Sequence, residues 1–261
     1  MMEYKFLLYT VTTGVATITL NRPEVYNALN DEITFELQDA LKVVSKDDSV
    51  RVVVLTGAGK AFCSGQDLKA SSTQEKRSFM DSLHKRYNPI VRAMRNLPKP
   101  IIGRINGVAA GAGCSLALAC DVLIASPAAT FIEVFINIGL VPDSGSSFFL
   151  PRAVGMAKAF EWCTQGSRIS AQEALQYGLI NEVSAEDGLD ASVKKHTDYY
   201  AQAPTKAIGM IKKMLQKSAL TSLDEMLDYE AYCQEIAGNS HDYKEGVQAF
   251  LEKRKPVFRG H

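Results

Sequence analysis

Between Ile101 and Gly145 the chain is broken into short pieces by glycine and proline, and this limits what the middle of the protein can build. A β-rich run, Ile101 to Ile105, leads into Val108-Ala-Ala-Gly-Ala-Gly113, a turn of very small residues. A small-residue helix, Cys114 to Cys120, and a second apolar strand, Asp121 to Ala125, are expected next. An irregular segment then ends in Val141-Pro-Asp-Ser-Gly145. A glycine-rich turn that opens a helix presents N–H groups without an intrahelical partner. The helix dipole adds partial positive charge there. Such a turn can hold an anion or a developing oxyanion. Further along, Asp143 sits in an otherwise apolar run, 136–147. An oxyanion holder together with one desolvated carboxylate suits proton transfer next to a carbonyl.

Bulk properties narrow the alternatives. With 261 residues, the chain can bury a sizeable core as one large domain or a domain with an appendage. Lys and Arg number 29 and so do Asp and Glu, so no global basic field exists to drive nucleic-acid binding. The five cysteines, Cys63, Cys114, Cys120, Cys163 and Cys233, are odd in number and lack metal-type pairing. They read as buried free thiols in a reducing cytoplasm. The opening MMEYKFLLYTV lacks a small-residue cleavage site, so no signal peptide is expected there. No uncharged apolar run is long enough to span a membrane.

Periodicity predicts strands at Tyr4 to Thr10 and Val15 to Leu20, joined at Thr12-Thr-Gly14. A helix over 31–45 is expected, capped by Asn30, with Ile33, Leu37, Leu41 and Val44 on one face. Val52-Val-Val-Leu55 has the pattern of a strand covered on both faces. Gly57 to Asp67 reads as a loop. A helix over 73–95 carries the apolar stripe Phe79, Leu83, Tyr87, Ile90 and Met94, and Pro89 should kink or split it. Lys158 to Cys163 is expected to be helical, and Ser170-Ala-Gln-Glu173 is a capping box with a stop at Gly178. Only helices are expected beyond residue 188, over 189–202, 205–217, 222–237 and 241–253, with Ser222 and Ser240 as caps. Mixed elements followed by helices alone suggest an α/β body over 1–188 and a helical region over 189–261 used in assembly.

Several stretches carry a resemblance when taken in order: Leu20-Asn-Arg-Pro23 with Asn27-Ala-Leu29, Gly59-Lys-Ala-Phe-Cys-Ser-Gly-Gln-Asp-Leu68, Pro100 to Gly113, Cys120-Asp-Val-Leu-Ile-Ala125, Gly139-Leu-Val-Pro-Asp143 and Ser170-Ala-Gln-Glu-Ala174. Over nearly its whole length the chain resembles the crotonase (enoyl-CoA hydratase/isomerase) superfamily. The resemblance implies an α/β fold, a spiral of ββα units with a helical C-terminal region. It also implies acyl-CoA thioester substrates, no cofactor beyond the CoA of the substrate, and homotrimers that pair as dimers of trimers. Cys63-Ser-Gly-Gln-Asp-Leu68, Gly139-Leu-Val-Pro-Asp-Ser-Gly145 and the tail 242–254 resemble the branch that isomerises ring-epoxidised phenylacetyl thioesters to an oxepin.

Site roles follow from that likeness. The backbone N–H groups of Gln66 and Ala112 would form the oxyanion hole, with Gly65, Gly111 and Gly113 around them. The plainer reading of each loop is a tight turn that needs glycine. Hydratases of the superfamily use two glutamates to activate water, and their slots fall at Ser115 and Phe135, neither of them acidic. Asp143 matches the place of the single acid in some isomerases, where one carboxylate removes a proton and returns it elsewhere. Apolar neighbours Ile138, Leu140 and Phe148 could raise its pKa; capping the following helix is the alternative role. Glu133 is a possible second acid, or a structural salt bridge or cap. Asp67 reads as a loop-fixing side chain.

Glu24, Val25, Tyr26, Ala61, Phe62 and Leu68 would contact CoA, with Lys60, Lys69 and Arg254 as options for its phosphates or as ordinary solvated charges. Phe79, Leu83, Tyr87 and Phe148 would shape the acyl pocket. The four histidines have no metal-ligand spacing, and the glycine turn lacks the Lys-Ser/Thr of a P-loop and the G-x-G-x-x-G of a dinucleotide site. An acyl-CoA isomerase is the favoured reading; a 2-enoyl-CoA hydratase and a non-catalytic acyl-CoA-binding module are the alternatives.

Overall fold

The computed structural model describes residues 4–69 and 78–261. Its strands are β1 (Leu7–Thr12), β2 (Val15–Leu20), β3 (Val52–Gly57), β4 (Ala61–Cys63), β5 (Ile101–Ile105), β6 (Val108–Ala110), β7 (Val122–Ala125), β8 (Thr130–Ile132), β9 (Ile169–Ser170) and β10 (Glu182–Val183). They form a six-stranded sheet, β1-β2-β3-β5-β7-β10, and a four-stranded sheet, β4-β6-β8-β9. Only β1–β2 and β8–β9 pair antiparallel. The pairs β3/β4, β5/β6 and β7/β8 each send their first strand to the larger sheet and their second to the smaller. The chain therefore winds as a spiral that moves one strand position per turn, the α/β spiral architecture expected from the resemblance.

Successive turns pack backbone to backbone. A Cβ placed on Gly113 would lie 2.2 Å from the Cys63 carbonyl oxygen. No residue with a side chain fits there without separating the turns.

Helix α1 (Asp31–Lys46) begins as expected, with Asn30 Oδ1 accepting from the Ile33 N–H at 3.0 Å. Ile33, Leu37, Leu41 and Val44 are buried against the sheets. The start of the helix expected over 73–95 lies outside the described residues. From residue 79 onward it is α2 (Phe79–Ser82), a π-turn (Leu83–Tyr87) and α3 (Asn88–Asn96). Pro89 thus produces a widened turn ahead of it rather than a break. Proline has no N–H for the Lys85 carbonyl. Gln38 Nε2 supplies that donor instead, at 3.0 Å from the carbonyls of both Lys85 and Arg86. Phe79 is exposed and is not part of the buried stripe.

Helix α4 (Ala112–Leu118) is wholly buried and leads from the small sheet back to β7. Helices α5 (Ser146–Val154), α6 (Met156–Gln165) and α7 (Ala171–Gln176) follow, α7 capped by Ser170. The chain ends in α8 (Leu189–Gln202), α9 (Thr205–Ser218), α10 (Leu223–Gly238) and α11 (His241–Leu251), with Ser222 and Ser240 capping the last two. Leu189 and Val193 of α8 pack on Val52, Val54, Ile102 and Ile124, covering the face of the six-stranded sheet. Lys212 of α9 reaches the Asp121 carboxylate at 2.7 Å and the Met94 carbonyl at 2.8 Å. Among the described residues no helix is long and apolar enough to cross a membrane.

The loop expected over 57–67 contains strand β4, the turn expected over 108–113 contains strand β6, and β8, β9 and β10 lie where no strand was expected. Each is two or three residues long, too short to show a period, and is held by the neighbouring turn of the spiral.

Asn27 fastens the first turn to the second. It is fully buried, with a left-handed φ of 57°. Its Nδ2 donates to the carbonyls of Ala58, Ala61 and Phe62, at 2.9, 2.8 and 3.2 Å. Its Oδ1 accepts from the Arg22 N–H at 2.9 Å. Asn27→Ala would strip these buried groups of their partner. An unsatisfied buried polar group costs about 1–3 kcal/mol. Urea denaturation of this variant should show stability reduced by about 3 kcal/mol, since several such groups are affected.

Candidate active site

Two backbone loops and one acid turn meet at the open ends of β4 and β6. The first loop follows β4. Leu29 donates its N–H to the Gly65 carbonyl at 2.7 Å and accepts from the Asp67 N–H at 3.0 Å. Leu29 thereby uses both neighbours of Gln66, and in a parallel bridge this turns Gln66's own peptide groups to the opposite side. The second loop is Gly111 to Gly113, where α4 begins. The Gly111 N–H donates to the Ile132 carbonyl at 2.9 Å, fixing the loop to β8. Ala112 is the first residue of α4, so its N–H has no acceptor inside the helix. The loops touch: Gly65 has φ +93°, and a Cβ there would lie 2.8 Å from the Ala110 oxygen and 3.5 Å from the Ala112 nitrogen.

Side chains brace the first loop. Asp67 pairs with Arg22 at 2.9 Å. Gln66 Oε1 accepts from Arg86 Nη2 at 3.0 Å and from the Tyr87 hydroxyl. Arg86 is buried and also pairs with Asp31 at 3.0 Å. Burial pushes the Tyr87 phenol well above its ordinary range; Arg86 opposes this, and the nearby charge of Asp143 is among the groups that add to it.

Asp143 is half-buried in the turn before α5. Its carbonyl accepts from Ser115 Oγ at 2.9 Å and from the Ser146 N–H at 3.0 Å. Ser115 belongs to α4, so the acid turn and the second loop hang from one helix. Gly145, not Asp143, is the N-cap of α5, and no side chain caps it; the expected alternative role for Asp143 is not taken. Its carboxylate accepts from Ser144 Oγ at 2.8 Å. Burial raises the Asp143 pKa, with the Ser144 hydrogen bond opposing. Phe135 is buried and comes within 3.8 Å of a Cβ placed on Gly111, making the floor beside the second loop apolar.

Glu133 is fully buried and, among the described residues, forms no salt bridge; it stands at the N-cap position of a 3-10 turn, Val134–Ile138, but its side chain makes no capping hydrogen bond. Its Oε1 accepts from the Ser146 hydroxyl, and burial raises its pKa, with Ser146 and the nearby Cys114 thiol opposing.

The expected CoA contacts separate into two groups. Glu24 and Val25 lie in a short 3-10 turn, Pro23–Val25, followed by Tyr26, which is 58% exposed. The Tyr26 carbonyl accepts from the Ser64 N–H at 3.0 Å, joining this turn to the first loop. Leu68 is 59% exposed. Ala61 and Phe62, by contrast, have side chains sealed in the core, because β4 lies between two layers; neither side chain faces a ligand. Arg254 is engaged by Glu245 and Glu252, each at 2.6 Å, so its guanidinium is committed within the C-terminal region. Lys60 and Lys69 are exposed. Phe79 and Phe148 are exposed, Leu83 is half-buried and Tyr87 is buried beside Gln66. Among the described residues no group of three His, Cys, Asp or Glu side chains is placed to hold a metal ion.

Sequence reading passed over Arg86, weighed Ser144 and Ser146 only as hydrolase nucleophiles without the G-x-S-x-G elbow or a His partner, and did not foresee the role of Ser115. The one available signal was Arg86 itself, a charge within the apolar stripe Leu83, Tyr87 and Ile90.

A family model described as enoyl-CoA hydratase/isomerase matches residues 10–261. The chain is 43% identical to an Escherichia coli (strain K12) protein named 1,2-epoxyphenylacetyl-CoA isomerase, with 100% of both chains covered. It is 41% identical to a Rhodobacter capsulatus protein named "Probable enoyl-CoA hydratase", covering 99% of this chain and 100% of that one. The solved structure of an enoyl-CoA hydratase from Bacillus anthracis superposes with a TM-score of 0.94 at 32% identity, covering 98% of this chain and 100% of that one.

Burial around the site also sets thiol chemistry. It pushes Cys63 up to about 12 and Cys114 well above the usual thiol range. Cys163 alone is half-buried. In the native protein Ellman's reagent should modify at most Cys163, and all five cysteines only after guanidinium denaturation.

Proposed function

The chain belongs to the enoyl-CoA hydratase/isomerase family, and from that premise we propose that it is an acyl-CoA isomerase with a single proton-transferring carboxylate, Asp143. One observation carries the reading. The two positions where hydratases of the family would hold glutamates are Ser115, whose hydroxyl is committed to the Asp143 carbonyl, and Phe135, an apolar ring. The glutamate pair is replaced by a clamp and a dry wall around one acid.

The chemistry follows from that arrangement. The thioester oxygen accepts from the N–H groups of Gln66 and Ala112. Asp143 removes a proton from carbon next to the activated carbonyl, and the enolate's charge rests on the two N–H groups. Removing one such donor typically costs about 10²–10³ in rate. The same carboxyl then returns the proton to a different carbon, so the double bond moves and no atom is gained or lost. A substrate carrying a ring epoxide on a phenylacetyl thioester fits the name of the Escherichia coli relative. CoA is the substrate's handle, held along Glu24, Val25, Tyr26, Gly65 and Leu68, and no separate cofactor takes part. Exposed Leu215, Leu220, Leu223, Leu227, Phe250 and Leu251 in the 189–261 region supply an apolar surface for assembly into a homotrimer or a dimer of trimers.

Hydration is the second reading, supported by the Rhodobacter relative's name. It would need water held between two carboxyls, and the complete burial of Glu133 weighs against it.

Asp143→Asn keeps shape and hydrogen bonding while removing the base. It should fold normally and lose about 10²–10⁴ in kcat on a 3-enoyl-CoA substrate, the range for a general acid–base. In the parent protein, kcat/KM should fall as pH drops through the raised pKa of Asp143, above the ordinary value of about 3.9, because the base must be ionised. Undiminished turnover in Asp143→Asn would remove Asp143 from the mechanism.

A further inference from the structure

Glu133 stands one hydrogen bond away from the acid turn and has no partner of opposite charge. It faces Cys114 from α4, Ser146 from α5, Cys163 from α6, and Asp143 on the preceding turn. Among the described residues no Lys, Arg or His pairs with it. Its Oε2 is buried without a hydrogen-bond partner. The residue it grips, Ser146, is the first of α5, and the Ser146 N–H holds the Asp143 carbonyl at 3.0 Å. The nearby Cys114 lies two positions after Ala112 on α4.

We infer that Glu133 is a neutral carboxylic acid that positions the Asp143 turn through Ser146. The inference rests on the reading of Asp143 as the proton carrier. An isolated buried carboxylate is too costly to keep without a cation, so the group retains its proton instead. Burial raises the Glu133 pKa first; the charge on Asp143 raises it further, while the Ser146 hydrogen bond and the nearby Cys114 thiol oppose both. Two carboxyls in close electrostatic contact then carry one negative charge between them. This protects the reaction, because a second charge beside the forming enolate would repel it. Glu133 is a positioning residue: the proton it holds does not move in the reaction.

Glu133→Gln and Glu133→Leu in the full-length protein separate this role from simple packing. Gln keeps an oxygen acceptor for Ser146, whereas Leu removes it. Glu133→Leu should lower kcat by about 10², and Glu133→Gln should recover to within about tenfold of the parent, less than the loss of a proton-transferring group. The parent's kcat/KM should also decline at alkaline pH as Glu133 ionises, and this decline should vanish in Glu133→Gln while the acid limb of Asp143 stays. A loss in Glu133→Gln as large as that in Glu133→Leu, or alkaline profiles that superimpose, would overturn the inference.

Two readouts do not depend on turnover. The infrared band of a buried protonated carboxyl should be present in the parent and in Asp143→Asn and absent in Glu133→Gln; its absence from the parent would overturn the inference. Stability gives the second. Glu133's folded pKa lies above its unfolded value of about 4.3, so its stabilising effect is complete below that pH and is lost as pH rises through the folded value. Stability of the parent relative to Glu133→Gln should therefore decline with rising pH, and a flat difference would contradict a protonated Glu133. Should Asp143→Asn stay active, the catalytic reading fails while these two measurements still decide the state of Glu133.

Discussion

Close backbone contact between successive turns of the spiral is the constraint on which the rest of this structure depends. Gly113 lies so near the Cys63 carbonyl that a Cβ would overlap it at 2.2 Å. That approach lets β4, β6 and β8 pair in parallel as a second, smaller sheet. It also brings the ends of β4 and β6 side by side, so two separate stretches of chain open onto the same rim. Fully buried Asn27, bonded to three carbonyls across the turn, keeps the first stretch in step with the second. The loops at the site are a consequence of how the turns stack.

The side chains at that rim divide between holding the backbone and leaving one group free to react. Arg86, Tyr87 and Arg22 hold Gln66 and Asp67. Ser115 and Ser146 hold the Asp143 carbonyl. Among the described residues only the neighbouring Ser144 hydroxyl donates to the Asp143 carboxylate, which lies in surroundings that favour its neutral form. Such an acid is a stronger base than an exposed aspartate, which suits the proposed abstraction of a carbon-bound proton. Serine at 115 therefore has a positive use: its hydroxyl donates to the backbone carbonyl of the acid turn, which an ionised carboxylate could not do.

Long, periodic elements were legible in the sequence because their signal is local. The apolar face Ile33, Leu37, Leu41 and Val44 announced α1, and Asn30, Ser170, Ser222 and Ser240 announced four helix starts that the structure retains. The resemblance, not periodicity, supplied the spiral. Strands β4, β6, β8, β9 and β10 were not legible, since two or three residues carry no period and their hydrogen-bond partners are distant in sequence. The π-turn before Pro89 escaped for a similar reason: Gln38, which satisfies the freed carbonyls, belongs to another helix. At the site, sequence singled out Asp143 and the two glycine loops. It could not reveal that Arg86 reaches Gln66, or that Glu133 meets Ser146 with no cation paired to it among the described residues. Phe62 was expected at the CoA face, yet short strand β4 directs its side chain into the core.

The central claim is that one carboxylate moves a proton without delivering water. Incubation with 3-enoyl-CoA and, separately, 2-enoyl-CoA in H₂¹⁸O, followed by mass spectrometry of the thioesters, tests it most directly. The account predicts conversion of the 3-enoyl to the 2-enoyl thioester with no ¹⁸O in either product. Rapid appearance of an ¹⁸O-labelled 3-hydroxyacyl thioester would contradict it and would mean that this site activates water despite Ser115 and Phe135.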